Sequence, residues 1–174
     1  KYIHFASSGW WNKILADDFD GDGDADIIIG NLGANAQFRA SQKEPLSIYY
    51  KDFDGNGSVD PIFCYYINGV SYPAASRDDL MEQLPVLKKK FNNYSSYANA
   101  TIKDIFSPEQ LKDAGLLSVE MLSTVYLQNN GDSVFVMNSL PQEAQYAPVC
   151  AIASADVNKD GKKDIILAVL IITG

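Results

Sequence analysis

The chain has 174 residues, enough for one domain with a sizeable core, and its 22 acidic and 14 basic side chains give a formal net charge of −8. With only two arginines, Arg39 and Arg77, and no basic stripe, the composition argues against a nucleic-acid partner. No apolar segment approaches the roughly 20 residues of a membrane span, and His4, the single histidine, leaves little material for Ser-His-Asp chemistry or histidine metal sites.

In chain order, strands are predicted at 2–5 and 14–16, and an aspartate-rich loop follows at 18–26. The same pattern recurs at 52–60 and 156–164: an oxygen-bearing side chain at positions 1, 3 and 5, glycine at position 6 and aspartate at position 9. Alternate hard oxygen ligands and a glycine at the sharp turn suit a Ca²⁺ ion, with position 7 offering only its carbonyl. An EF-hand needs a bidentate acid at position 12, where this chain has Ile29, Phe63 and Leu167, so that motif is excluded.

Short apolar runs rich in β-branched residues follow each loop at 27–29, 61–63 and 165–167, and strand-like runs precede each loop. Each loop is therefore predicted to join two strands. Metal-free Asp/Gly hairpin turns are the alternative to metal loops.

The first loop is flanked by two further features. The paired Trp10 and Trp11 are assigned to core or inter-blade packing, with a sugar platform as the alternative, and 37–39 is predicted as a short strand. After the second loop, Asn68 and Gly69 between apolar runs predict a type I′ hairpin.

Residues 76–115 are predicted as a helical insertion. Ser76 is a candidate N-cap, Pro85 should kink or split the first helix, and Ser107 with Pro108 should begin another that ends at Gly115. Apolar residues of the insertion should cover one sheet face: Leu80, Leu84, Leu87, Ile102, Ile105 and Leu111. The lysines at 88–90 are interpreted as a solvated helix end, with a phosphate or headgroup site as the alternative.

Strands are predicted again at 125–127 and 134–136, joined by a turn at 129–132. The two cysteines, Cys64 and Cys150, both lie in apolar strand-like runs and are interpreted as small buried hydrophobes, although a disulfide stays open.

These loops resemble those of FG-GAP and VCBS repeats, the β-propeller blades of integrin α-subunit heads and many secreted bacterial proteins. The run from Tyr126 to Asp132, followed by Phe135, is similar to the hairpin that accompanies such repeats. The resemblance implies up to three Ca²⁺ ions with three ligand sets. They are Asp18, Asp20, Asp22, Asp24 (backbone) and Asp26; Asp52, Asp54, Asn56, Ser58 (backbone) and Asp60; and Asp156, Asn158, Asp160, Lys162 (backbone) and Asp164.

The resemblance thus implies a mainly β fold: residues 1–174 as one propeller-type segment of about three blades with the helical insertion. The expected function is a calcium-stabilised extracellular module that presents a binding surface to a carbohydrate or protein ligand, with structural Ca²⁺ and no catalysis. A structural spacer of a larger surface protein and a glycan-active hydrolase are the alternatives. We expect an extracellular, cell-surface or periplasmic location, in bacteria, as a slice of a longer exported protein.

Two further expectations concern affinity and assembly. Lys159, Lys162 and Lys163 lie in or beside the acids of the third loop and should weaken that site. Open sheet edges, such as the run from Ile165 to Ile172, predict a homodimer through edge pairing.

Overall fold

The computed structural model describes residues 8–131 and 134–170, so the strand predicted at 2–5 lies outside the described residues. Within these ranges the fold is mainly β, as predicted, with antiparallel sheets. The strands are β1 Lys13–Asp17, β2 Asp26–Gly30, β3 Leu46–Lys51, β4 Asp60–Ile67, β5 Val70–Pro73, β6 Gly115–Val119, β7 Val125–Asn129, β8 Phe135–Ser139, β9 Val149–Ala155 and β10 Asp164–Val169. The α-helices are α1 Arg77–Gln83, α2 Tyr94–Tyr97, α3 Ile102–Ile105 and α4 Pro108–Lys112, with 3-10 helices at Pro85–Lys89 and Gln142–Gln145.

The chain divides into two compact units: Lys1–Gln37 with Met121–Gly174, and Phe38–Glu120. The first is therefore assembled from segments on either side of the second. One propeller-type segment over residues 1–174 stays a prediction.

The first unit contains a four-stranded sheet in the order β1-β2-β7-β8 and the β9–β10 hairpin. Strand β2 pairs with β1 locally and with β7, where Ile28 is opposite Tyr126. Hairpin β9–β10 packs closely on β2, because a Cβ on Gly30 would lie 2.7 Å from the Val149 side chain. Ile28, Val125, Leu127 and Val149 are buried in this unit.

The second unit contains a four-stranded sheet in the order β5-β4-β3-β6, covered by the helical segment. The predicted coverage is confirmed: the core cluster contains Ile62 and Cys64 from β4 together with five of the six apolar residues expected from the insertion, and Leu111 packs against it. The four helices are short enough that they would not persist alone, so burial of this apolar face against the sheet is what stabilises them.

Local signals in the second unit predicted several features correctly. Asn68 and Gly69 have positive φ values of 50° and 79°, as the hairpin turn requires. The Ser76 hydroxyl caps α1, and α1 ends at Gln83 before a 3-10 helix that begins at Pro85. Ser107 and Gln110 form the predicted capping box.

Three expectations were wrong. Residues 37–39 form no strand, because the ring of Phe38 packs in a loop against the rings of Phe63 and Tyr65. Helix α4 ends at Lys112, and Gly115 instead begins β6. A Cβ there would lie 2.1 Å from the ring of Tyr50 on the neighbouring strand, so the glycine serves close strand packing.

The third concerns the cysteines. Cys64 is buried as expected, whereas Cys150 is exposed at a shift in the register of β9, where it is the extra residue between Val149 and Ala151, which pair with Val169 and Ala168. Both thiols are free. In the described ranges, no helix has the length and apolar character that crossing a membrane requires.

Candidate metal centre

Each of the three loops joins two antiparallel strands, as predicted: β1 to β2, β3 to β4, and β9 to β10. The glycine at position 6 has a positive φ in every loop, a conformation that a Cβ disfavours. Its amide donates a hydrogen bond to the position-1 carboxylate in each case. The N···O distances are 3.1 Å from Gly23 to Asp18, 2.8 Å from Gly57 to Asp52 and 3.0 Å from Gly161 to Asp156.

The aspartate at position 9 closes each loop. Its carboxylate accepts a hydrogen bond from the amide of position 2, at 3.2 Å from Phe19 to Asp26, 2.9 Å from Phe53 to Asp60 and 2.9 Å from Val157 to Asp164. Asp26 is fully buried and Asp60 is nearly so. One carboxylate oxygen at position 9 is thus committed to loop closure in each loop.

Side chains at positions 3 and 5 repeat a third pattern. Each accepts a hydrogen bond from the amide two residues later, as when Asp22 accepts from Asp24 at 2.8 Å and Asn56 accepts from Ser58 at 2.8 Å. In the third loop Asp160 accepts from Lys162 at 2.8 Å, and this bond is the main reason that the pKa of Asp160 lies below its usual value. The pKa of Asp52 is also lowered, chiefly by the Gly57 amide. Fixed backbone donors therefore favour the charged form of these acids.

The carboxylates gather in two of the three loops. Asp18, Asp20 and Asp22 each place an oxygen within 4.8 Å of the others, and Asp52, Asp54 and Asp60 do the same. Ca²⁺ binds oxygens at about 2.3–2.6 Å, so oxygens on opposite sides of one ion lie about 5 Å apart. The residues of these two loops therefore fit a calcium ion. In the part of the chain that the structure describes, the three acids of the third loop form no such group.

The third loop also differs in its backbone. Position 4 has positive φ in all three loops and is Gly21 and Gly55 in the first two, whereas Lys159 occupies it in the third with a φ of 63°. A left-handed conformation costs a residue with a Cβ about 1–2 kcal/mol. The sequence shows glycine at position 4 of the first two loops, but only the loop geometry shows that this position has positive φ.

Lys163 has a partner outside its own loop. Its ammonium nitrogen lies 3.4 Å from Oδ2 of Asp17, and the Ser154 hydroxyl also donates to that carboxylate. The Ser154 bond is the main cause of the lowered pKa of Asp17. Lys163 thus ties the β9–β10 hairpin to β1.

Strand β7 supports the first loop, a role that the sequence did not reveal. The Gln128 side-chain amide donates to Oδ2 of Asp20 at 2.8 Å, and the Asn129 backbone amide donates to Oδ1 of Asp26 at 2.8 Å. The Tyr126 hydroxyl donates to Oδ2 of Asp26 at 2.7 Å, and burial together with this bond raises the pKa of the phenol. These residues belong to the segment from Tyr126 to Asp132 that resembles the hairpin of VCBS repeats, and this resemblance was the one sequence signal that β7 accompanies the first loop.

A cleft of about 280 Å³ lies in the second unit, between the β4–β5 hairpin and α2. It is lined by Tyr65, Ile67, Tyr72, Pro73, Tyr97, Ala98, Asn99 and Ala100. The Tyr97 hydroxyl donates to the carbonyl oxygen of Ala75 at 2.8 Å, which fixes that ring at the cleft wall. None of the eight lining residues has a charged side chain, so the cleft suits an uncharged ligand.

Comparison with known families gives one match. Residues 10–42 match the FG-GAP repeat family model, which confirms the resemblance for the first loop and the strands β1 and β2. FG-GAP repeats are β-propeller blades and non-catalytic structural repeats that occur in extracellular or surface proteins and often bind Ca²⁺. Comparisons with curated proteins and with solved structures found no match.

Proposed function

We propose that this chain is a calcium-stabilised propeller-type repeat module, located outside the cytoplasm, that presents a binding surface to a carbohydrate. The observation that carries the proposal is the repeated loop geometry: the same two closing hydrogen bonds recur in three loops, and two of them gather three carboxylates at calcium-ligand spacing. The FG-GAP match at residues 10–42 supports it independently.

The role of the metal is structural. In the first loop the ligands would be the side chains of Asp18, Asp20, Asp22 and Asp26 with the carbonyl of Asp24; in the second they would be Asp52, Asp54, Asn56 and Asp60 with the carbonyl of Ser58. When bound, Ca²⁺ would neutralise carboxylates that otherwise repel one another. Most of these oxygens belong to short loops between paired strands, so the bound ion would fix the strand ends and leave little room for a substrate.

Calcium dependence is tested by thermal unfolding in EDTA and in millimolar Ca²⁺. A ligand that binds only the native state stabilises it by about 2.7 kcal/mol when its free concentration is about 100 times Kd. The melting temperature should therefore rise in Ca²⁺ and fall again on chelation. Equal melting temperatures in the two buffers would contradict the proposal.

The loops should differ in affinity. The third ligand set is Asp156, Asn158, Asp160 and Asp164 with the carbonyl of Lys162. It has fewer charged ligands than the first set, its acids form no group among the described residues, and Lys159 lies in left-handed backbone. Asp20→Ala or Asp22→Ala should therefore cost more bound Ca²⁺ than Asp160→Ala in calorimetric titration, and Asp22 is the matched position because it and Asp160 both stand at position 5. Equal losses would show that ligand charge and grouping do not set affinity here.

The tyrosine-lined cleft supports the carbohydrate part of the proposal. Tyrosine rings offer flat apolar faces with a polar edge, and the Asn99 amide beside them can both donate and accept hydrogen bonds. A glycan array probed with the calcium-loaded protein should give binding that Tyr72→Ala removes, while Tyr94→Ala, an exposed tyrosine that does not line the cleft, retains it.

Two further assays, binding to candidate proteins and turnover of chromogenic glycosides, separate the alternatives. Binding to a protein but to no glycan would assign the surface to a protein ligand, and no binding to either would favour a structural spacer. Turnover of a panel of chromogenic glycosides would indicate a hydrolase.

A further inference from the structure

We propose that β7 positions the first loop for calcium, so that metal binding there and the pairing of β2 with β7 stabilise each other. This inference rests on the proposed calcium binding and adds how one site is controlled. The positioning residues are Tyr126, Gln128 and Asn129. They lie 100 to 108 positions along the chain from the acids they contact.

Gln128 orients a ligand directly. The Asp20 carboxylate accepts from the Gln128 side chain through Oδ2 and from the Asp22 amide through Oδ1, at 2.8 and 3.2 Å. Both oxygens are therefore held in place, and each retains a second lone pair for a cation. Without Gln128, one of these two restraints is lost and the carboxylate can rotate away from the loop centre.

Asp26 depends on β7 even more strongly. Its side chain accepts three hydrogen bonds, one from the Phe19 amide within the loop and two from β7, through the Tyr126 hydroxyl and the Asn129 amide. A fully buried carboxylate is costly unless it is hydrogen-bonded. Removing β7 would leave Asp26 with a single donor and would favour its turning out of the ligand position.

Among the described residues, the acids of the other two loops accept their hydrogen bonds from within their own loops. In the second loop Asp52 accepts from Gly57 and Asp60 accepts from Phe53. In the third loop the corresponding donors are the position-6 and position-2 amides. The contacts from β7 therefore distinguish the first loop, and they allow a loop-specific test.

The coupling is reciprocal. If pairing of β7 raises the calcium affinity of the first loop, then calcium must stabilise that pairing by the same factor. Because β2 and β7 belong to the two sequence segments that make up the first unit, a calcium ion at this loop would help to hold these two segments together.

The test is hydrogen–deuterium exchange of the full chain over a series of free Ca²⁺ concentrations, which gives a separate midpoint for each loop. In Gln128→Ala and in Tyr126→Phe, the midpoint of residues 18–26 should move to about tenfold higher Ca²⁺, which corresponds to one hydrogen bond to a charged group. The midpoint of residues 52–60 should not move. Tyr97→Phe, which removes a hydroxyl bonded to a backbone carbonyl in the second unit, should leave the first loop unchanged.

Tyr126→Phe retains the ring, which packs edge-on against Phe19, so this variant should fold even if Gln128→Ala does not. In the parent protein, Ca²⁺ should also slow exchange in residues 125–129. Unchanged midpoints in both variants, or calcium protection that stops at residue 26, would overturn the coupling while calcium binding stands. Absence of any calcium-dependent protection in residues 18–26 would overturn the calcium proposal for that loop together with the coupling.

Discussion

Phe106 links the helical segment to the second loop, and its removal should be the most damaging single truncation in the second unit. Its side chain is 1% exposed, and its ring stacks on Phe53 with centroids 3.9 Å apart and planes 19° from parallel. Phe53 is position 2 of the second loop, where its amide donates to Asp60. The stack therefore joins the hydrophobic core to the loop backbone.

The expected magnitude follows from this burial. Replacing a buried phenylalanine by alanine costs about 3–5 kcal/mol, and loss of the aromatic pair accounts for about 0.5–1.5 kcal/mol of interaction. With a urea m-value of about 2 kcal/mol/M, a loss of about 4 kcal/mol lowers the unfolding midpoint by about 2 M. Phe106→Leu retains most of the apolar volume and should cost less than half as much.

The assay is urea unfolding in the presence of Ca²⁺, followed by far-UV circular dichroism. Val86→Ala is the matched control, because Val86 belongs to the same helical segment but is 64% exposed and should change stability by less than about 0.5 kcal/mol. Phe106→Leu should also weaken calcium protection of residues 52–60 while sparing residues 18–26. If Phe106→Ala and Val86→Ala shift the midpoint equally, the packing argument is refuted.

Four other outcomes are expected. Burial raises the pKa of the Cys64 thiol to about 12 while Cys150 is exposed, so iodoacetamide should modify only Cys150 in the native protein, and modification of both would contradict the assignment. Because the unfolded thiol has a pKa of about 8.5, the stability from a protonated Cys64 is complete below that pH and should decline as the pH rises toward 12, as urea midpoints would show. The hydrogen bond from the Thr101 hydroxyl lowers the pKa of Asp104. The stability that charged Asp104 contributes is therefore complete above about pH 3.9 and should be lost as the pH falls further. In Asp104→Asn the loss of stability at acid pH should be smaller, and an unchanged loss would contradict this assignment. Among the described strands β10 pairs only with β9, and we expect an edge-paired homodimer of about twice 19.1 kDa in light scattering; a clean monomer at high concentration would contradict it.

The sequence predicted what is decided locally. Loop register could be inferred from Gly23, because an ordinary Cβ obstructs a left-handed turn, and the flanking strands could be inferred from β-branched runs such as 27–29. Caps and breaks in the helical segment, at Ser76 and Pro85, likewise depend on a few neighbouring residues. Each of these signals depends only on residues that are close together in the sequence.

What the sequence did not predict depends on which strands become neighbours. Gly115 resembles a helix stop until Tyr50 is known to lie across from it, and Cys150 resembles a core residue until the register shift between β9 and β10 is known. The contacts from Gln128 to Asp20 require β7 to pair with β2 after a long intervening segment. No local periodicity encodes that pairing.

The interrupted first sheet has a consequence for how the chain is made. Strands β3 and β6 are the first and last of the second unit and pair with each other, with Leu46 opposite Val119. Closing a loop of about 100 residues costs about 2 kcal/mol more than closing one of about 10, so prior folding of the second unit would shorten the effective loop between β2 and β7. At about 5–20 residues per second, ribosomal synthesis leaves the apolar edge of β2 unpaired for about 5–20 s before β7 emerges. During that interval the edge at 27–29 is open to other nascent chains, and once β7 has emerged, prior folding of residues 38–120 would speed its pairing with β2.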